Sequence, residues 1–201
     1  MKRIGLGILL AAILAGPASA SIFVFKATLD GASEAPPNAS TGTGTAKLLW
    51  DDVAQTMSLD MTFSGLTAPT TASHIHAATD EPGAGTAGVA TQVPSFVGFP
   101  LGVTAGSYSH VFDLTDLATY NPAFVTANGG TAAGAEAALF AALQARKSYL
   151  NIHTTEFRGG EIRGFWTAVV PEPAAWALML AGFAAMGAAL RSRRAAGVVG
   201  G

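Results

Sequence analysis

The chain of 201 residues contains no cysteine, and only 12% of its residues are charged. The lack of cysteine excludes a disulfide framework, a thiolate nucleophile, a cysteine-ligated zinc site and an iron–sulfur cluster. The formal net charge is −2 and no basic stretch is extended enough to bind nucleic acid, so the composition predicts no nucleic-acid partner. Half of the residues are hydrophobic, which argues against a disordered chain.

The first twenty residues have the three parts of a secretory signal. Lys2 and Arg3 precede the uncharged apolar stretch Ile4–Leu14, which is too short to span a bilayer. Ala18 and Ala20 then form a small-x-small cleavage pattern. We therefore predict export across the inner membrane and removal of residues 1–20 by signal peptidase. The alternative is a buried N-terminal helix.

The C-terminal end combines three features in a fixed order. Pro171, Glu172 and Pro173 precede the uncharged apolar run Ala174–Leu190, which predicts a transmembrane helix of minimal length. This run is followed at once by three arginines, which the positive-inside rule places in the cytoplasm: Arg191, Arg193 and Arg194. We delimit this C-terminal region as residues 171–194. Residues 195–201 form a short tail after it.

This C-terminal pattern resembles the PEP-CTERM sorting tail of Gram-negative bacteria. The resemblance implies recognition by an exosortase, which removes the membrane span, and delivery to the cell surface or the extracellular matrix. It also implies that the membrane is a partner of the C-terminal helix before cleavage. An ordinary membrane anchor is the alternative. Between the two ends, residues 21–170 hold six basic and twelve acidic side chains, a net charge of −6.

The central region reads as an antiparallel β domain. Met57, Leu59, Met61 and Phe63 alternate with polar residues, which is typical of a half-buried strand. Similar patterns, separated by turn residues, predict further strands at Ile22–Leu29, Thr43–Trp50, Ala72–Ala78, Ala87–Val93, Ser107–Leu114, Ser148–Thr154 and Glu161–Val169. The alanine-rich stretch Thr131–Lys147 predicts one inserted helix, capped by Thr131. These elements predict an immunoglobulin-like or superoxide-dismutase-like Greek-key sandwich.

Three of the four histidines lie on two predicted strands, which would place their side chains on one face of the sheet. His74 and His76 are two residues apart, so their side chains point the same way from a strand. His153 lies on a second strand, which we expect to form a hairpin with the strand that follows. That hairpin would place Asn151, His153, Glu161 and Arg163 on one polar face. The metal hypothesis assigns His74, His76 and His153 as ligands of one Cu or Zn ion, with Glu161 orienting a ligand.

The interpretation that we favour from the sequence is a hydrogen-bonded polar ladder with a purely structural role, and the metal site is its alternative. The histidine pattern is also similar to the copper face of Cu/Zn superoxide dismutases. However, the chain lacks the histidine-rich zinc loop and the cysteine pair of those enzymes, so we do not predict a dismutase. Nor does the chain contain the G-x-S-x-G pattern of a serine hydrolase, and no hydrolase pattern emerges from the residues.

Several short stretches of the central region resemble the CHRD domain, which is named from chordin and occurs in bacterial exported proteins. They are Glu34–Pro37, Ala72–His76, Tyr120–Phe124, Thr126–Thr131, Tyr149–Thr154 and Gly160–Gly164. The resemblance covers residues 22–169 and implies an extracellular β module without an established enzymatic activity. We therefore expect an exported module that acts by binding rather than catalysis, with matrix polysaccharide or a surface protein as partners. The alternative function is a copper- or zinc-binding envelope metalloprotein.

Overall fold

The computed structural model describes residues 21–169 and 178–186. The predicted signal sequence, the Pro-Glu-Pro stretch, the arginine cluster and residues 195–201 lie outside these ranges. No helix of the described residues is long and apolar enough to span a membrane. The predicted transmembrane run is described only at residues 178–186, which are helical and exposed. The transmembrane helix predicted at Ala174–Leu190 is therefore not found in the described part of the chain.

Residues 21–169 are built mainly of β-strands, with the helices of this range between the fifth and sixth strands. The strands are β1 (Ile22–Asp30), β2 (Thr43–Asp51), β3 (Thr56–Ser64), β4 (Thr70–Ala77), β5 (Gly106–Asp113), β6 (Ser148–Thr154), β7 (Ile162–Phe165) and β8 (Thr167–Ala168). The helices are a 3-10 turn (Leu117–Thr119), α1 (Pro122–Ala127) and α2 (Ala132–Gln144). The predicted strand at Ala87–Val93 is a loop, with isolated bridges at Val89 and Thr91.

The strands form one antiparallel sheet that curls into a half-barrel, in the order β4-β6-β7-β1-β2-β3-β5, with β8 beside β1. The predicted antiparallel all-β class is thus confirmed. The predicted Greek-key sandwich is not, because the strands of the described chain belong to a single hydrogen-bonded sheet. The hydrophobic alternation of a strand identifies a buried face, but it does not say whether a second sheet or a helix covers that face.

One face of the sheet carries the hydrophobic core. On β3 the residues Met57, Leu59, Met61 and Phe63 are buried, as their alternation predicted. Helix α2 packs against this face, and its Phe140 ring stacks on Trp50 with the ring centroids 5.1 Å apart. The helix predicted over Thr131–Lys147 is confirmed together with its cap, since the Thr131 hydroxyl accepts a hydrogen bond from the Gly134 amide. The expectation of a single inserted helix is wrong, because the 3-10 turn and α1 precede it.

The opposite face of the sheet is polar. Residues directly opposite each other in an antiparallel pair project from the same face, so the strand register defines its members. This polar face consists of His74 and His76 (β4), Tyr149, Asn151 and His153 (β6), Arg163 and Phe165 (β7), Lys26 and Thr28 (β1), Thr45 and Lys47 (β2), Asp60 and Thr62 (β3), and Ser107 and Ser109 (β5). Loops cover its β4–β6–β7 half, where Arg163 is 4% exposed, and leave the β1–β2–β3–β5 half open.

Candidate metal centre

The three histidines predicted as metal ligands lie together on the covered half of the polar face. Strands β4 and β6 are neighbours, with His74 opposite Asn151 and His76 opposite Tyr149. The same register places His153 opposite Ala72, two residue pairs further along and on the same face. Ile75, between the two β4 histidines, points into the core and is fully buried. The alternation of β4 and its pairing with β6 therefore bring together three residues that are 79 positions apart at the widest.

The ligand-capable nitrogens of these histidines converge on one point. One nitrogen from each ring lies within 4.8 Å of the other two. Nδ1 of His74 lies 3.3 Å from Nε2 of His153. The ring centroid of His76 lies 5.9 Å from that of His74 and 6.1 Å from that of His153. His74 and His76 are buried, whereas His153 is half-buried and forms the solvent side of the cluster.

Each of the three rings is oriented by a backbone carbonyl on its other nitrogen. His74 donates from Nε2 (2.7 Å), His76 from Nδ1 (2.9 Å) and His153 from Nδ1 (2.9 Å). The accepting carbonyls belong, in that order, to Pro94, Ala87 and Arg158. A carbonyl oxygen can only accept, so these nitrogens carry the proton of each neutral ring. The three converging nitrogens therefore all present lone pairs.

One of these lone pairs has no protein partner. Nε2 of His76 is buried and makes no hydrogen bond with any residue that the structure describes. A buried polar atom without a partner is unusual in a folded protein and costs about 1–3 kcal/mol. His76 belongs to the group in which one nitrogen of each ring lies within 4.8 Å of the other two, so its unpaired nitrogen is available as a ligand.

The surroundings keep the three imidazoles neutral. Burial lowers the pKa of His74 and of His153 below the ordinary value of 6.5. Burial also lowers the pKa of His76, to about 4, with smaller contributions from His153, His74 and Arg163. Neutral imidazole is the form that binds a metal ion, so the cluster is ready for metal at neutral pH.

A second polar cluster, which the sequence did not predict, lies next to the histidines. The Tyr149 ring stacks on His76 at 4.7 Å, and the Arg163 guanidinium lies 4.8 Å from the Tyr149 ring centroid. Nε of Arg163 lies 3.9 Å from Oε2 of Glu34, whose Oε1 accepts a hydrogen bond from Asn151 at 2.9 Å. Burial raises the pKa of Glu34 to about 7, although the Arg163 charge opposes this shift. Glu34–Pro37 is one of the stretches that resemble the CHRD domain, but the sequence did not predict that Glu34 contacts Arg163.

Glu161 does not have the orienting role that we predicted from the sequence. Its Oε1 accepts hydrogen bonds from the Ser40 hydroxyl at 2.6 Å and from the Thr67 amide. These two groups lie on loops before β2 and before β4, and within the described residues Glu161 makes no hydrogen bond to the three histidines. The Arg158 carbonyl orients His153 instead. Asn151 and Arg163 do lie opposite each other in the predicted β6–β7 hairpin.

Together the fold and the cluster define an all-β domain with a partly covered polar face that holds three convergent histidines. The chain belongs to the CHRD domain family, which matches residues 25–166. The PEP-CTERM protein-sorting motif matches residues 169–194. No curated protein and no solved structure matches the chain.

The two matches confirm the recognition made from the sequence. CHRD domains are a non-catalytic, binding-type family. The sorting motif marks the chain as an exosortase-targeted protein, exported to the cell envelope or surface of a Gram-negative bacterium. The motif begins at residue 169, directly after the last strand of the domain.

Proposed function

We propose that this chain is an exported binding module whose CHRD domain binds one zinc or copper ion through His74, His76 and His153. The proposal depends on one observation. One nitrogen from each of the three imidazole rings lies close to the other two, and the second nitrogen of each ring donates a hydrogen bond to a backbone carbonyl. Outer hydrogen bonds of this kind fix the tautomer and the ring orientation of metal-ligating histidines. Imidazole suits both zinc and copper, so the donor set supports either ion.

One edge of the cluster has the spacing expected around such an ion, and the third nitrogen lies within 4.8 Å of the other two. Nitrogens about 2.0–2.1 Å from a tetrahedral zinc ion lie about 3.3–3.4 Å apart. The 3.3 Å between His74 Nδ1 and His153 Nε2 equals one edge of that tetrahedron. Three protein ligands leave a fourth position for water or another small ligand, on the side of the half-buried His153.

A metal-free polar ladder explains the cluster less well. A ladder requires donors opposite acceptors, whereas the neutral rings of His74 and His153 present an acceptor to an acceptor. His76 Nε2 would also remain unpaired. A bound cation satisfies all three lone pairs at once, which supports metal binding over the purely structural alternative.

Elemental analysis of histidine variants tests this proposal. We would export the full chain to a bacterial periplasm, load it with zinc or copper, and remove loosely bound metal. We expect about one ion per chain in the wild type and a large loss of metal in His153→Ala. His110→Ala is the matched control, because His110 packs between aromatic rings on β5, away from the cluster. Absence of metal from the loaded wild type, or equal metal in His153→Ala, would contradict the proposal.

Processing of the sorting tail is a separate part of the proposed function. We expect signal peptidase to remove residues 1–20 and an exosortase to release the domain from the Ala174–Leu190 segment. Mass spectrometry of the mature protein from a host with an exosortase should show a chain that lacks residues 174–194. An intact C-terminus in such a host would leave a plain membrane anchor as the explanation of this segment.

A further inference from the structure

The open half of the polar face carries two rows of polar side chains that run straight across four strands. The strand register places Thr28, Thr45, Thr62 and Ser107 side by side in the first row. The second row consists of Lys26, Lys47, Asp60 and Ser109. All eight side chains are exposed. With strands about 4.8 Å apart, each row extends over about 14 Å.

The second row contains two like charges that face each other. Lys26 lies directly opposite Lys47, a cross-strand arrangement that destabilises a sheet. Within the described residues, the one ion pair is that of Arg163 with Glu34, so neither ammonium group has a carboxylate within 4.0 Å. Asp60 lies opposite Lys47 but accepts a hydrogen bond from the Ser109 hydroxyl at 2.6 Å. With Lys26, Lys47 and Asp60 together, the second row carries a net charge of +1 on a domain whose net charge is −6.

A shallow groove of about 580 Å³ follows these rows. Its lining includes both lysines, Asp60, Thr45 and Thr62. Hollows of about 280 and 350 Å³ continue it, one toward Ser64 and the other toward Phe165 and Thr167. The three depressions share lining residues and cross most of the open half. An extended surface of this kind fits a polymer better than a compact ligand.

The chemistry of the groove indicates the class of polymer. Hydroxyl groups both donate and accept hydrogen bonds, so a row of them complements the hydroxyl groups of a sugar chain. The lysine pair attracts carboxylates at the same time. The apolar residues in the lining of the main groove, Ala46, Met61 and Tyr108, are buried, so it offers no exposed aromatic anchor of the kind that dominates protein interfaces.

We propose that the open half of the polar face binds an acidic polysaccharide. Lys26 and Lys47 contact carboxylates of the polymer, and the hydroxyls of Thr45 and Thr62 contact its sugar hydroxyls. This site is separate from the histidine cluster and does not require a bound metal. Net positive charge at the groove lets the polymer bind although the rest of the domain is acidic.

Binding of polygalacturonate to the full exported chain tests this proposal. The assay contains a chelator, so that its result does not depend on metal at the histidines. Polyglutamate serves as a probe with carboxylates but no hydroxyls, and dextran as a probe with hydroxyls but no charge. The test variants are Lys26→Gln/Lys47→Gln, and Thr45→Val/Thr62→Val, which removes two hydroxyls at constant shape and charge. The arginine control, Arg146→Gln/Lys147→Gln, removes two charges from adjacent positions outside the groove.

We expect the wild type and the arginine control to bind polygalacturonate with affinities within about twofold of each other. The lysine variant should bind at least about tenfold more weakly, and the threonine variant should lose affinity while remaining salt-sensitive. Polyglutamate and dextran should bind more weakly than polygalacturonate. Full binding by the lysine variant would overturn the proposal. So would an equal loss in the arginine control, or polyglutamate binding as tight as that of polygalacturonate.

Discussion

Nδ1 of His74 and Nε2 of His153 face each other at 3.3 Å with a lone pair on each side. Both nitrogens are acceptors because the second nitrogen of each ring donates to a backbone carbonyl. Either a proton or a metal ion must lie between them for the contact to be favourable. Burial opposes the protonated form of both rings, since it lowers the pKa of each. A metal ion is therefore the better partner for this pair.

The tautomers of the three histidines can be measured directly. In metal-free protein at neutral pH, we expect His74 to carry its proton on Nε2, and His76 and His153 to carry theirs on Nδ1. The carbonyls of Pro94, Ala87 and Arg158 impose this pattern. Long-range proton–nitrogen NMR spectra distinguish the two tautomers of each ring. A proton on Nε2 of His76 would show that this atom is not held as a ligand.

Acid should destabilise the metal-free protein. The pKa values of the three histidines are lowered in the folded state, that of His76 to about 4, whereas the unfolded value is about 6.5. Between these pH values the unfolded chain binds more protons, so the free energy of unfolding falls as the pH drops from about 6.5 towards 4. Denaturant unfolding with a chelator present, at a series of pH values, measures this decline.

The titration of Glu34 has the opposite effect on the free energy of unfolding, over a pH range that overlaps that of the histidines. Its pKa is raised from 4.5 to about 7, so the folded chain takes up this proton first and gains stability on acidification between those values. Glu34→Gln removes this compensation. We therefore expect the free energy of unfolding to fall more steeply with acid in Glu34→Gln than in the wild type. A flat pH profile in the variant would contradict the neutral, buried state of the histidines.

Close packing of β7 on β1 joins the covered half of the polar face to its open half. A Cβ atom at Gly164 would collide with the Thr28 carbonyl oxygen and lie 2.8 Å from the Thr28 carbonyl carbon. Because this obstacle is backbone, we expect Gly164→Ala to destabilise the domain by about 2–3 kcal/mol. Gly159→Ala is the matched control, since a Cβ there has no neighbour within 4 Å. Equal stability of the two variants, measured by denaturant unfolding, would refute this packing.

The strand faces of the site could be predicted from the sequence, because side-chain alternation in a strand has a period of two. That rule placed His74 and His76 on one face, and it placed His153 with Asn151 and Arg163 on the face of the next hairpin. The pairing of β4 with β6 was not visible, since no local pattern specifies which strands become neighbours. The structure supplies that contact between segments 79 positions apart.

Loop contacts around the site could not be predicted, for a different physical reason. A loop carbonyl such as that of Pro94 has no sequence signature, because every residue type carries one. Glu161 seemed the natural partner for His153, yet Ser40 and Thr67 bind its carboxylate. The contact of Glu34 with Arg163 likewise depends on how the loop after β1 closes over the sheet.

X-ray absorption spectroscopy of the metal-loaded protein tests the central claim most directly, because it reports the atoms bound to the ion. For zinc or copper in the wild type, we predict three imidazole nitrogens at about 2.0–2.1 Å and one further light-atom ligand. His110→Ala should give the same spectrum, and His153→Ala should lose the ion or one imidazole. A wild-type ion surrounded by oxygen alone, or a wild-type chain that retains no ion, would contradict the three-histidine centre.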